Sequence, residues 1–123
     1  MMDGAIDFAS LMAAGHPVRH FKAGDIVFAK GDAGAKMYIV QSGSVALNVN
    51  GKVLETVGPN GTFGEMALID GSARSATATA VENSELAEVD RSAFVFLVHE
   101  HPHFALDVMS SLAERLRRMN DLV

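Results

Sequence analysis

The chain has 123 residues, of which 49% are hydrophobic and 20% charged, and a net charge of −5 at pH 7, a size and balance that fit one globular domain with its own core. The acidic balance argues against a basic surface for nucleic acid or anionic membrane, so an anionic ligand has to be held by a local pocket. With no cysteine, no Lys/Arg-led signal segment at the N-terminus and no apolar run of roughly 18 residues, the sequence excludes disulfides and thiol chemistry and predicts a cytoplasmic protein without a membrane span.

The first predicted element is a short amphipathic helix over Ala5–Ala14, stopped by Gly15. From Val18 to Asp90 glycines recur at short intervals, and the pieces between them predict strands at Val18–Phe21, Asp25–Ala29, Met37–Gln41, Ser44–Val49, Lys52–Val57, Arg74–Ala80 and Ser84–Asp90. Val45, Leu47 and Val49 alternate with smaller or polar residues, as a strand with one buried face requires, and Asn50-Gly51 signals a type I′ hairpin turn. Gly31, Gly34 and Gly43 are expected to form turns at positive φ, and Met37 and Tyr38 to lie in the core. Asp90 is a candidate N-cap for a helix over Ser92–Glu100, and Pro102 opens a second helix to about Asp121. On that last helix Ala105, Met109, Leu112, Leu116, Met119 and Val123 follow a heptad seam, which suits either a two-helix contact or packing on the β-unit. The fold class is therefore mainly β: an antiparallel, jelly-roll-like β-roll with a short N-terminal helix and two C-terminal helices, read as a single domain over 1–123.

After the fifth predicted strand, and taking in the sixth, comes Phe63 to Ala80, FGEMALIDGSARSATATA, with Glu65 and Arg74 nine residues apart among small residues. A turn at Gly58–Gly61 and a helical turn or two after Gly64 predict a helix N-terminus whose backbone N–H groups suit a phosphate, with Arg74 placed to close the seat. Glu65 would repel a phosphate, but it would accept from a ribose hydroxyl. The pair thus suits a nucleotide whose sugar and phosphate lie close together. The same spacing also suits a plain surface ion pair between the two side chains, worth about 0–1 kcal/mol.

The whole stretch resembles, nearly position for position, the phosphate-binding cassette of cyclic-nucleotide-binding domains, found in regulatory subunits of cyclic-AMP-dependent kinase, cyclic-nucleotide-gated channels and bacterial catabolite-activator-type regulators. It shares the FGE-x-A-L opening, the step from Glu65 to Arg74 and the R-S-A-T-x-x-A close. Residues 31–45, GDAGAKMYIVQSGSV, are similar to the family's G-D-x-G-x-x-M-Y-x-V-x-x-G-x-V segment, and the resemblance extends over roughly residues 18 to 121.

The resemblance implies that Arg74 binds the exocyclic phosphate oxygens, that Glu65 and Gly64 take the ribose 2′-OH, and that Ala67 offers its N–H to the phosphate. Phe63, Met66 and Ala76 belong to the same cassette, and Ser75 could contact phosphate or a guanine edge. It implies a lid in the C-terminal helix, with Arg115 as the candidate contact to the purine, and a hinge around Phe94–Val98. The β-roll would span about 18–90, and the hinge and lid helices about 91–121. The function implied is a non-catalytic sensor, cyclic AMP favoured over cyclic GMP, that needs no cofactor and signals to an effector protein or through a homodimer of its C-terminal helix. A ligand-binding fragment of a transcription regulator or channel, or an interaction module that has lost its ligand, remain the alternatives.

Other residues carry less. His99, His101 and His103 in HEHPH are two apart and interrupted by Pro102, a poor pattern for metal ligation. Neither a metal cluster nor a nucleophile with its base stands near Arg74 in the sequence, so no catalytic residue is assigned. Arg115, Arg117 and Arg118 suit the C-terminal end of a helix for dipole reasons.

Overall fold

The structure is a computed structural model, and it describes residues 17–121; the helix expected over Ala5–Ala14 lies outside them. Among the described residues eight strands form two four-stranded sheets. They are β1 (Val18–Phe21), β2 (Ile26–Phe28), β3 (Met37–Ser42), β4 (Val45–Val49), β5 (Lys52–Val57), β6 (Thr62–Phe63), β7 (Thr77–Ala80) and β8 (Ser84–Val89). One sheet has the order β1-β8-β3-β6 and the other β2-β7-β4-β5, every pairing being antiparallel. The helices among the described residues are α1 (Glu65–Asp70), α2 (Arg91–Glu100) and α3 (His103–Asp121).

Two apolar clusters explain this layering. Tyr38, Val40, Val45, Leu47, Phe63 and Leu86 meet between the sheets, while Met37, Ile39, Ala87 and Val89 point to the other side of the first sheet and pack with Leu68, Ala93, Leu97, Phe104 and Val108 of the helices. Strand β3 is thus buried on both faces, which is why MYIV reads as a continuous apolar run rather than an alternation. β4 alternates because it is covered on one side only.

The β4–β5 hairpin turns through Asn50 (φ 52°) and Gly51 (φ 84°), both in the left-handed region that a type I′ turn demands. Farther along, the ladder shifts: Leu47 pairs with Glu55 but Asn48 with Val53, leaving Leu54 as the extra residue of a β-bulge. Strand β7 starts at Thr77, not at Arg74 as expected, because the backbone of Arg74 is tied elsewhere. Its N–H donates to the Asp32 carbonyl (2.8 Å) and its carbonyl accepts from Gly31 N–H (2.7 Å).

Helix α2 is capped by Asp90, whose carboxylate accepts from Ala93 N–H at 2.8 Å. Helix α3 buries Phe104, Val108 and Arg115, while Leu106, Met109 and Leu116 are exposed. The face turned inward is therefore rotated away from the expected seam of Ala105, Met109, Leu112, Leu116, Met119 and Val123: Met109 and Leu116 face outward, and Val123 lies outside the described residues. No helix among the described residues is long and apolar enough to cross a membrane.

Candidate functional site

The site lies where α1, the segment after it and α3 converge on the open end of the roll. Gly64, at φ 83°, turns the chain from β6 into α1 and Gly71, at φ 73°, turns it out again, its N–H donating to the Ala67 carbonyl at 3.0 Å. The helix between them has six residues and buries Glu65, Ala67 and Leu68.

Arg74 is 7% exposed and makes no ion pair among the described residues. Its Nη1 donates to the Gly64 carbonyl (2.9 Å) and its Nη2 to the Lys36 carbonyl (2.7 Å), while Nε is buried without a hydrogen-bond partner. The guanidinium lies 4.1 Å from the Phe28 ring centroid and 5.9 Å from that of Tyr38, which itself stacks on Phe63 at 5.3 Å. Burial lowers the Arg74 pKa from its ordinary value, against the raising influence of Tyr38, Asp32 and Glu65. Burial and then the Glu88 charge push the Tyr38 phenol upward, so the ring stays neutral at physiological pH. A guanidinium held this way is a buried positive charge in contact with aromatic rings and with no carboxylate at ion-pair distance among the described residues, an arrangement that an incoming anion would complete.

Gly34 has a different role from the one expected. Its φ is not in the left-handed region; instead a Cβ there would sit 2.5 Å from Arg74 Nε and 2.6 Å from Nη2. The missing side chain makes room for the guanidinium. Gly34→Ala is therefore expected to displace the Arg74 head group, weakening anion binding about tenfold or more while the melting temperature changes little. Titration and thermal melting of the variant check this, and unchanged affinity would refute the close approach.

Glu65 is 2% exposed and does not pair with Arg74, which rules out the surface ion pair. Its Oε1 accepts from Arg115 Nη1 at 2.8 Å, and its Oε2 accepts no hydrogen bond from the described residues. Arg115, 3% exposed, also donates Nε to Glu55 Oε1 (2.8 Å), Nη2 to Glu55 Oε2 (3.2 Å) and Nη2 to the Thr62 carbonyl. Burial works against its charge, but the Glu55 hydrogen bonds and the charges of Glu65 and Glu55 outweigh it, and the net effect raises its pKa. The resemblance sends Arg115 to the purine; here its recorded hydrogen bonds go instead to two carboxylates and a carbonyl.

Between these groups lies a cavity with about 400 Å³ of space not filled by atoms, its open mouth included. Of the residues singled out from the sequence, Gly64, Glu65, Met66 and Ala67 line it on one side, and Arg74, Ser75, Ala76 and Arg115 on the others. Ser75 Oγ reaches Met66 Sδ at 3.8 Å. Phe63 is not in the wall; it is fully buried in the core beneath it. Phe28, Leu47, Leu54 and Met119 were not singled out and complete an apolar wall that suits a flat ring. Phe28 and Leu47 stood in predicted strands as apolar residues, yet nothing in their spacing separates a cavity wall from a core. In HEHPH, His99 and His103 are exposed, and His101 has a buried Nε2 with no partner at the α2–α3 junction.

Comparison with known proteins shows the family. The cyclic nucleotide-binding domain family model matches residues 18–101, and the chain belongs to that family. The cyclic AMP receptor protein of Thermus thermophilus is 38% identical over 104 residues, covering 80% of this chain and 48% of that protein. The chain spans about half the length of the curated relatives it matches. The crystal structure of the Thermus thermophilus catabolite activator protein superimposes with a TM-score of 0.74 at 35% identity, over 91% of this chain and 55% of that one. A solved chain from work on a cyclic-GMP-dependent signalling pathway that regulates bacterial phytopathogenesis gives a TM-score of 0.72 at 29% identity, over 93% of this chain and 97% of that one.

Proposed function

We propose that this domain binds a 3′,5′-cyclic nucleotide, cyclic AMP in preference to cyclic GMP, and acts as a non-catalytic sensor. The observation that carries the reading is Arg74, a buried guanidinium without an anionic partner among the described residues, facing a cavity that also holds the buried carboxylate of Glu65. Arg74 takes the phosphate, helped by the N–H of Ala67, while Glu65 and Gly64 take the ribose hydroxyl. The base lies against Leu54 and the flexible thioethers of Met66 and Met119, which adapt to a purine. Ser75 decides neither base. The relative named a cyclic AMP receptor favours adenine, and the neighbour from a cyclic-GMP-dependent pathway makes guanine the alternative.

Signalling follows from α3. It reaches both α1 and β5, and its Arg115 touches the carboxylate assigned to the ribose, so a nucleotide that prefers one setting of the helix shifts the population toward it. An effector protein, or a second copy of the domain, reads that setting through the outward face bearing Leu106, Met109 and Leu116.

Titration calorimetry with cyclic AMP and cyclic GMP, on protein unfolded and refolded to remove carried-over ligand, tests the reading, with light scattering of the same samples for mass. Saturable binding of at least one nucleotide is expected. Absence of heat with either at millimolar concentration ends the sensor reading, and a monomer mass throughout ends the two-copy version of its output.

A further inference from the structure

Glu55 stands outside the cassette and has no role in the assignment above, yet it accepts three hydrogen bonds from α3. Arg115 forks onto it with Nε at 2.8 Å and Nη2 at 3.2 Å, and Arg118 Nη1 adds a third at 3.1 Å. We infer that Glu55 is a positioning residue for ribose recognition: by holding the Nε edge of Arg115 it confines that arginine to one oxygen of Glu65 and reserves Oε2 for a sugar hydroxyl. The inference rests on the cyclic-nucleotide reading of Glu65.

The argument is one of competing forks. A guanidinium offers five N–H donors in a plane and prefers two parallel bonds to a single carboxylate. Two buried or half-buried carboxylates lie within reach of Arg115, and the structure gives the fork to Glu55 and a single Nη1 contact to Glu65 Oε1. If Glu55 lost its charge, the Nη1 and Nη2 edge could turn onto both oxygens of Glu65. A ribose hydroxyl would then have to displace a charged donor to find its acceptor. Glu55 can do this because of the bulge in β5. With Leu54 as the extra residue, Glu55 pairs with the inward-facing Leu47 and shares the face of buried Val57, whereas a regular ladder would set it opposite Ala46. The bulge therefore turns a carboxylate inward at the open end of the roll, where α3 crosses.

The test compares cyclic AMP with 2′-deoxy cyclic AMP in the unmodified domain and in Glu55→Gln, each shown by thermal melting to be folded. The corresponding guanine pair serves if cyclic GMP binds more tightly. The unmodified domain is expected to prefer the ribonucleotide by about tenfold or more, the size of one hydrogen bond to a charged group. In Glu55→Gln the ribonucleotide should lose about tenfold while the deoxy analogue changes less than threefold, so the preference collapses. In an Arg115→Gln background the same Glu55→Gln change should leave the preference as it was, since no fork remains to be held. Equal losses for both nucleotides would show that Glu55 only anchors the helix and would overturn the inference, as would an unaltered preference. If the unmodified domain binds no cyclic nucleotide at all, it is the underlying functional reading that fails.

Discussion

Arg74→Gln is expected to weaken cyclic-nucleotide binding by about 2–5 kcal/mol, roughly 30-fold to several thousand-fold, as when one partner of a buried charge pair is removed. Gln keeps a donor but not the charge or the planar fork, and it cannot span from the Gly64 carbonyl to that of Lys36 as the guanidinium does. The domain itself should survive the change. Arg74 contributes two hydrogen bonds and a ring contact to the fold, but it also imposes the desolvation of a cation that Asp32 and Glu65 offset only in part and at a distance. Calorimetric titration beside thermal melting separates the two effects. A cooperative melt with lost binding is the predicted result, and affinity within threefold of the unmodified domain would mean that Arg74 does not hold the phosphate.

Arg115→Leu should instead be read in stability. Removing the arginine leaves Glu65 buried with no ion-pair partner and takes away the donor that the Thr62 carbonyl uses, a situation that costs about 3–5 kcal/mol. For a chain of this size that lowers the melting temperature by on the order of 10–20 °C. Arg118→Ala supplies the contrast. Its side chain is 45% exposed and shares only the rim of Glu55, so its loss should cost under about 1 kcal/mol. Equal melting temperatures for the two variants would contradict the picture of a buried anchor with an exposed auxiliary.

Much of the roll is legible in the sequence because burial imposes a period. Val45 and Leu47 alternate, Asn50-Gly51 announces its turn, and Asp90 stands where a cap is needed, so the boundaries of β1, β5 and α2 fall within a residue of expectation. What escapes depends on long-range contacts. β6 is two residues long and exists because Phe63 and Thr62 pair with Tyr38 and Ile39, too short for any period to show. The late start of β7 comes from hydrogen bonds to a loop some forty residues earlier. Gly34 looks like any turn glycine until Arg74 is seen against it. For the site, the motif named the residues that line one side of the cavity, whereas the phase of α3 decided the rest. Packing on Phe104 and Val108 turns Arg115 inward, toward carboxylates rather than outward or onto an open base site, and a heptad count over so few turns could not foresee that.

One small contact has a mechanical meaning. Arg91, the first residue of α2, donates Nη2 to the Leu68 carbonyl at 2.9 Å and to the Ile69 carbonyl at 3.4 Å, while the Leu68 side chain lies in the same cluster as Ala93 and Leu97. The last turn of α1 and the first turn of α2 are thus fastened by a polar tie outside and an apolar one within. The tie bypasses β7 and β8, the strands that separate the two helices in sequence, so the seating of α2 depends directly on that of the cassette helix.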